Sequence, residues 1–264
     1  MLIALQIIGG LLLLVAGGEG LVRGAVSIAN RIGVPVIIIG LTIVSLGTSA
    51  PEMVISILAT LEGHPDIALG NVIGSNIANI LLVLALTSLI YPVATDPEVT
   101  KRDGLLMVMV SLLMLVFMLG GEISRLEGMV LLAIMAGYLI SIYFRARRES
   151  APEIIEEFEE ETSFRYNWPL ALLMLAVGLA LLIGGAEVLV TGASEFARIF
   201  GVSEAVIGST IVAIGTSAPE LVTCVIAAYR KHSDIAVGNV VGSNLFNIVG
   251  RAGRRGGNGA DGSQ

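Results

Sequence analysis

One stretch of this chain occurs twice. Shifting the numbering by 168 residues (208 − 40) aligns Gly40–Ile80 with Gly208–Ile248, and 24 of those 41 positions are identical. The motif GTSAPE at 47–52 returns unchanged at 215–220. A repeat of this length and identity predicts a duplicated chain whose two halves supply the same residue types to one molecule.

Long apolar stretches define the environment of both halves. The sequence is 55% hydrophobic and only 14% charged, whereas a soluble domain is about a quarter charged. A membrane helix needs about 20 mostly apolar residues. The candidate spans are 3–22, 34–61, 67–91, 104–120, 126–144, 168–190, 202–229 and 235–250. We therefore expect an all-α integral membrane protein, with the lipid bilayer as its surroundings and about eight transmembrane helices.

The direction of the two repeats follows from the number of spans. Five spans separate corresponding points, and an odd number makes the second copy cross the membrane in the opposite direction, so the repeats are inverted. Basic residues support this count, and the positive-inside rule places their side in the cytoplasm and the N-terminus outside. The ten on that side are Arg23, Arg31, Lys101, Arg102, Arg145, Arg147, Arg148, Arg165, Arg230 and Lys231.

The chain divides into four regions. Residues 1–144 form the first repeat, with its motif region at 40–80, and 145–167 form an acidic cytoplasmic loop. Residues 168–250 form a second, incomplete repeat, with its motif region at 208–248. The Gly/Arg-rich residues 251–264 have no counterpart in the first repeat, so we expect a truncation or a frameshift, with a natural short variant as the alternative. The scattered basic residues argue against nucleic-acid binding.

The GTSAPE motifs carry the chemistry. Proline inside a helix removes a hydrogen-bond donor and exposes backbone carbonyls, which must be buried in protein or bind something at membrane depth. Glu52 and Glu220 follow these prolines, and an isolated charge at mid-membrane costs about 3 kcal/mol. A cation would offset that cost. The oxygen donors suit a hard cation such as Ca²⁺ or Na⁺; besides the carboxylates, they are the hydroxyls of Thr48, Ser49, Thr216 and Ser217 and the freed carbonyls.

The second motif, GNxxGSN, lies at 70–76 and 238–244. Its glycines are four residues apart, a spacing typical of close helix contact in membranes. Asn71, Ser75 and Asn79 share a spacing that lets them face the broken helix. The motif thus predicts helix packing, a contribution to the cation site, or both.

Together these motifs resemble the alpha repeats of the calcium/cation antiporter superfamily, the sodium/calcium exchangers, and the bacterial YrbG-like branch looks closest. The resemblance runs from about residue 3 to residue 250. It implies an inverted-repeat antiporter fold with ten helices, of which about eight are present here. It also implies exchange of Ca²⁺ for Na⁺ or H⁺ across the inner membrane, with no cofactor.

The resemblance also implies a set of metal ligands. Its essential acids match Glu52 and Glu220, and its amide ligand matches Asn79. Asn247 stands where many exchangers have Asp, which leaves two central carboxylates rather than three. The hydroxyl ligands match Thr48, Ser49, Ser75, Thr216, Ser217 and Ser243, and the carbonyl ligands match Ser45 and Ala213 together with Thr48 and Thr216.

Two other interpretations remain at this stage. The chain could be a non-transporting fragment or a subunit that needs a partner to supply helices. It could also be an intramembrane hydrolase using Ser49 or Ser217, but neither motif contains the His or Lys base that such an enzyme needs. We expect a secondary transporter and not an enzyme.

Overall fold

The computed structural model describes residues 2–62, 65–93, 97–120, 124–149 and 166–250. The predicted tail 251–264 and most of the predicted loop 145–167 lie outside these residues. Every regular element among them is a helix. The first repeat contains α1 (Leu2–Ile32), α2 (Val36–Ile39), the π-helical segment π1 (Gly40–Val44), α3 (Ser45–Thr48), α4 (Ala50–Leu61), α5 (Pro65–Ala78), π2 (Asn79–Leu84), α6 (Ala85–Ile90), α7 (Pro97–Met118) and α8 (Arg125–Glu149). The second contains α9 (Trp168–Ile199), α10 (Glu204–Ile207), π3 (Gly208–Val212), α11 (Ala213–Thr216), α12 (Ala218–Tyr229) and α13 (Ser233–Gly250).

The two longest helices, α1 and α9, are counterparts in the repeat and pack closely along their length. Gly10 lies beside Gly185 and Gly17 lies beside Gly178, so the helices run antiparallel. A Cβ atom on Gly17 would lie 2.7 Å from the carbonyl oxygen of Gly178, and only glycine permits this backbone contact. Because equivalent helices run in opposite directions, the structure has the inverted arrangement expected from the odd number of spans.

The GTSAPE motifs lie at two helix breaks. The helices Val36–Thr48 and Ala50–Leu61 meet at 45°, and their counterparts Thr210–Thr216 and Ala218–Tyr229 meet at 52°. Ser49 and Ser217 leave the helical conformation at these points, with ψ near 0° (1° and 5°). The proline two residues later begins the next helix, where its missing N–H costs nothing. The predicted broken helices are therefore present.

Helix α13 passes through the centre of the molecule. It packs against π1, α2 and α3 of the first bent pair, and also against α7 and α8. A Cβ atom on Gly238 would lie 2.7 Å from the carbonyl oxygen of Ile37. The equivalent contact in the other repeat, between α5 and π3, is open, because no described atom lies within 4 Å of such an atom on Gly70 or Gly74. Two nearly identical sequences thus adopt a closed seam and an open one.

The expected number of eight spans is not confirmed. Four described helices are long and apolar enough to cross a membrane, and counting each bent pair as one span raises the number to six. Helix α7 carries Lys101, Arg102 and Asp103 near its start. Helix α13 carries Asn239, Asn244 and Asn247. These polar residues lower the hydropathy of both helices.

Candidate cation site

Two buried carboxylates lie where the broken helices meet. Glu52 is in the first turn of α4 and Glu220 is in the first turn of α12. Their exposed fractions are 2% and 0%, and they are close enough for their charges to repel. Ser49, at the first break, donates a 2.9 Å hydrogen bond to Oε1 of Glu220. The two predicted half-sites are therefore joined directly across the repeat boundary.

The hydroxyl groups of the two motifs have different partners. Thr48 donates to Oδ1 of Asn239 on α13 at 3.1 Å and is fully buried. Its counterpart Thr216 is half-buried and donates to the carbonyl oxygen of Ala213 at 3.0 Å. Ser217 is buried next to Glu52, and its hydroxyl has no close hydrogen-bond partner in the described part of the chain. The hydroxyls of Thr48 and Ser49 thus donate to the opposite repeat, whereas the Thr216 hydroxyl donates within its own repeat.

The two carbonyl groups expected as ligands lie at matching positions. The Ser45 carbonyl accepts from the backbone N–H of Ser49 at 3.0 Å, and the Ala213 carbonyl accepts from Thr216. A carbonyl oxygen has two lone pairs, so each keeps capacity for a cation. Ser45 is buried, whereas Ala213 is exposed on the side where the seam between α5 and π3 is open.

The predicted ligands of the GNxxGSN regions lie on α5, π2 and α13. Ser75, Asn79, Ser243 and Asn247 are all buried, with exposed fractions of 6% or less. The Ser243 hydroxyl and the Oδ1 atoms of Asn79 and Asn247 have no hydrogen-bond partner among the residues that the structure describes. Their amide nitrogens do have partners, each in the opposite repeat.

The site therefore contains a group of buried oxygens without hydrogen bonds. Buried polar atoms are almost always hydrogen-bonded. A group of unpaired oxygens at two related motifs therefore indicates a place where a cation or hydrogen-bond donors would bind. The unpaired atoms are both carboxylate oxygens of Glu52, Oε2 of Glu220, Oδ1 of Asn79 and Asn247, and the hydroxyls of Ser217 and Ser243. Oxygen donors of this kind suit Ca²⁺ and Na⁺.

Two carboxylates are the only acidic groups in this set. Among the described residues, no three His, Cys, Asp or Glu side chains form a group able to hold a metal ion. A cation here would depend on amide, hydroxyl and carbonyl oxygens as well as on Glu52 and Glu220. Such a site holds its ion less rigidly than an all-carboxylate cage, a property compatible with ion release.

Asn71 and Asn239 play a larger part than their sequence positions indicated. Asn71 donates to the Glu52 carbonyl at 2.9 Å and to the Ser56 hydroxyl at 3.0 Å. Asn239 donates to the Cys224 sulfur at 3.4 Å. Since Ser56 and Cys224 are counterparts, each asparagine joins its helix to the same position of the neighbouring broken helix.

Sequence reasoning missed the glycines that bring α1 and α9 together. Gly10, Gly17 and Gly24 recur every seven residues, and the same spacing returns at 178, 185 and 192. This pattern was visible in the sequence and is a known mark of close helix packing. Asn76 and Asn244 were also missed as functional candidates, and only the three-dimensional pairing of the repeats exposes them.

The comparisons with known proteins agree with this architecture. A model of the sodium/calcium exchanger protein family matches residues 2–144 and 170–254. The putative antiporter CaxA of Alkalimonas amylolytica is 39% identical over 91% of this chain and 76% of its own length. The inner membrane protein YrbG of Escherichia coli K12 is 38% identical over 92% of this chain and 76% of its own length.

A solved structure gives the same result for the fold. The sodium-calcium exchanger NCX_Mj, soaked with Na⁺ and Sr²⁺, superposes with a TM-score of 0.80 at 34% identity. The match covers 95% of this chain and 82% of that one. Fold and site together define a multi-pass membrane protein with inverted repeats and a buried oxygen-lined centre. This chain belongs to the sodium/calcium exchanger protein family.

Proposed function

We propose that this chain is a cation antiporter of the cytoplasmic (inner) membrane that binds Ca²⁺ between Glu52 and Glu220 and exchanges it for Na⁺ or H⁺. The observation that supports this proposal is the group of buried oxygens without hydrogen bonds. In apolar surroundings such atoms are costly, and a hard cation would satisfy several of them at once. The candidate ligands are the twelve residues named above from the sequence.

Competition for shared oxygens provides a physical basis for exchange. Glu52 and Glu220 repel each other when both are charged, so binding of either Ca²⁺ or Na⁺ relieves the same repulsion. Both ions cannot hold the same carboxylates at full strength. Relatives described as a sodium/calcium exchanger and as a putative antiporter support this chemistry.

The two seams suggest which side of the membrane reaches the site. With the N-terminus outside, as the basic residues indicate, π1 and the start of α13 lie toward the cytoplasm. That seam is closed at Gly238, whereas the seam between α5 and π3 is open at Gly70 and Gly74. We infer that the described state opens outward, and that closing α5 against π3 would accompany opening of the other seam.

A hydrolase at Ser49 or Ser217 receives no support from the geometry. The Ser49 hydroxyl donates a hydrogen bond to a carboxylate oxygen of Glu220 rather than to a histidine or lysine base. Among the described residues, Ser217 has no close hydrogen-bond partner. Neither serine is activated as a nucleophile would need to be.

A subunit that needs further membrane helices is a second candidate, favoured by the exposure of α5. Ile77 on α5 is 52% exposed, whereas its counterpart Leu245 on α13 is 2% exposed. Ile67 and Ile235 differ in the same way, at 57% and 0%. Leu245 packs in one core cluster with residues of α7 and α8, whereas Ile235 packs in the cluster formed around α1 and the start of the first bent pair. No described helix covers Ile67 or Ile77 on α5 in this way.

Vesicle transport tests both candidates. The full chain is reconstituted into Na⁺-loaded liposomes, and uptake of ⁴⁵Ca²⁺ is measured as the Na⁺ gradient is imposed or dissipated. An antiporter gives gradient-dependent uptake. The variants Glu52→Gln and Glu220→Gln should reduce it by at least about 100-fold, since each removes a buried charge that holds the ion.

Glu62→Gln is the matched control, because it makes the same chemical change at the exposed end of the same helix α4. Because position 62 is exposed, this variant should keep transport within about fivefold of the parent chain. The subunit interpretation is supported if this chain shows no uptake but uptake appears when two apolar spans are added after α13. Uptake that survives both Gln variants would show that the ion site lies elsewhere.

A further inference from the structure

Two hydrogen bonds between asparagines cross the boundary between the repeats. Asn79 on π2 donates from Nδ2 to Oδ1 of Asn244 on α13 at 3.1 Å. Asn247 on α13 donates from Nδ2 to Oδ1 of Asn76 on α5 at 3.3 Å. Each residue and its counterpart are 168 positions apart (247 − 79 and 244 − 76). The two bonds are therefore one contact made twice, once from each repeat.

These bonds determine which end of each amide remains available. An asparagine amide has a donor end and an acceptor end. The donor ends of Asn79 and Asn247 are occupied by the opposite repeat, while their Oδ1 atoms are buried and have no hydrogen-bond partner. The partners Asn76 and Asn244 thus leave two neutral oxygens free on π2 and α13, which contact α12 and α4, the helices that carry Glu220 and Glu52.

We propose that Asn76 and Asn244 are positioning residues for the cation site. Each accepts the amide N–H of the residue that would bind the ion in the opposite repeat, and so turns that residue's oxygen toward the ion. This inference rests on the proposed function of the site. Without the acceptor, the amide rotates about a broad, nearly two-fold χ2 torsion, and its positive NH₂ end faces the cation for part of the time.

The two positioning residues are themselves held, but unequally. Asn76 donates from Nδ2 to the backbone carbonyl of Asn244 at 3.2 Å, which fixes its own amide with Oδ1 toward Asn247. Asn244 donates to the sulfur of Met107 at 3.4 Å, a weak acceptor. The orientation of Asn244 therefore depends more on Asn79 than on Met107, and replacement of Met107 should be tolerated.

Equilibrium binding of ⁴⁵Ca²⁺ to the purified full chain in lipid nanodiscs tests the proposal. Asn244→Ala should weaken binding on the order of 10-fold, the effect of losing one well-placed hydrogen bond. Asn79→Ala should weaken binding at least as much. Because Asn244 acts through Asn79, the double variant should bind no more weakly than Asn79→Ala alone.

A second cycle serves as the matched control. Asn244 and Asn247 lie in the same repeat and share no direct side-chain hydrogen bond among the described contacts, so the coupling between Asn244→Ala and Asn247→Ala should be smaller than that between Asn244→Ala and Asn79→Ala. The pair Asn76 and Asn247 should behave like Asn244 and Asn79. A merely structural role for Asn244 would instead give additive effects with Asn79 and overturn the proposal.

Two single variants complete the test. Asn244→Asp keeps an oxygen acceptor for Asn79 and should recover most of the affinity lost in Asn244→Ala, which also shows that position 244 tolerates change. Met107→Leu should bind like the parent chain. Parent-level binding by Asn244→Ala contradicts the positioning role alone, whereas parent-level binding by Glu52→Gln and Glu220→Gln contradicts the proposed site itself.

Discussion

Ser49 and its counterpart Ser217 occupy identical motifs but have different hydrogen bonds. Ser49 donates to Glu220 across the repeat boundary at 2.9 Å. Ser217 is also buried and interacts with Glu52, its equivalent acid, but among the described residues no hydrogen bond as close as the one from Ser49 joins the two side chains. Half of the site is thus paired internally, while the other half presents unpaired oxygens.

This difference predicts that two matched variants, Ser49→Ala and Ser217→Ala, change the unfolding temperature of the ion-free protein to different extents. Ser49→Ala leaves an oxygen of Glu220 buried and unpaired, a loss of about 1–3 kcal/mol, so the ion-free protein should unfold at a lower temperature. Ser217→Ala removes only a looser contact with Glu52 and should lower the ion-free midpoint less. If both hydroxyls bind the ion, both variants should show a smaller rise in midpoint on adding Ca²⁺.

Thermal unfolding in detergent, with and without Ca²⁺, provides the measurement. Ser49→Thr keeps the hydroxyl and serves as the control, with a midpoint close to that of the parent chain. Equal midpoints of the two ion-free alanine variants would show that the bond between Ser49 and Glu220 does not contribute to stability.

The sequence predicted the parts of the site that depend on local chemistry. Pro51 and Pro219 break their helices because proline cannot continue the hydrogen-bond ladder. Glu52 and Glu220, one residue later, then lie at the breaks. The pairing of these acids in one site followed from the odd number of spans, and the antiparallel packing of α1 and α9 agrees with that argument.

The features that the sequence could not predict depend on asymmetry or on tertiary register. Gly70 and Gly238 are equivalent by sequence, yet only Gly238 is in backbone contact with a neighbour. A repeat with identical residues predicts identical surroundings, whereas a transporter must hold its halves in different states at any moment. The bond from Asn79 to Asn244 likewise depends on how the repeats meet.

The glycine seams give a second prediction. In the described state an alanine methyl at Gly238 meets the backbone carbonyl of Ile37, whereas one at Gly70 meets nothing. Gly238→Ala should therefore disfavour this state by about 1–3 kcal/mol. Gly70→Ala should disfavour only the opposite state, in which α5 closes against π3, and so should favour the described one.

Labelling of an introduced thiol measures the shift. The background is Cys224→Ser, since serine is the natural residue at the equivalent position 56, and the probe is Ala213→Cys on the exposed side of α11. A membrane-impermeant maleimide should label the Gly70→Ala protein faster than the parent and the Gly238→Ala protein more slowly. A change in the same direction in both would contradict two exchanging seams.

An ion pair at one end of the molecule has no counterpart at the other. Glu19 on α1 accepts hydrogen bonds from Arg230 at the end of α12 and from Arg23 on its own helix. The equivalent positions hold Glu187 and Glu62, two like charges. The contact between α1 and α12 is therefore electrostatically favourable, whereas an equivalent contact between α9 and α4 would bring two like charges together.

This asymmetry predicts a salt-dependent bias between the two states. The side chains of Arg230 and Glu19 are 34% and 27% exposed. A pair of that exposure contributes at most about 1 kcal/mol, or a population shift of about fivefold.

If α1 moves away from α12 during exchange, Arg230→Gln should slow labelling of the Ala213→Cys thiol by up to that factor. High salt should slow labelling of the parent in the same way and leave Arg230→Gln unaffected. Glu62→Arg, which places a cation at the position equivalent to Arg230, should also slow labelling by favouring the other state. Labelling of the parent that does not respond to salt, together with a parent-like rate for Arg230→Gln, would show that the pair does not bias the exchange.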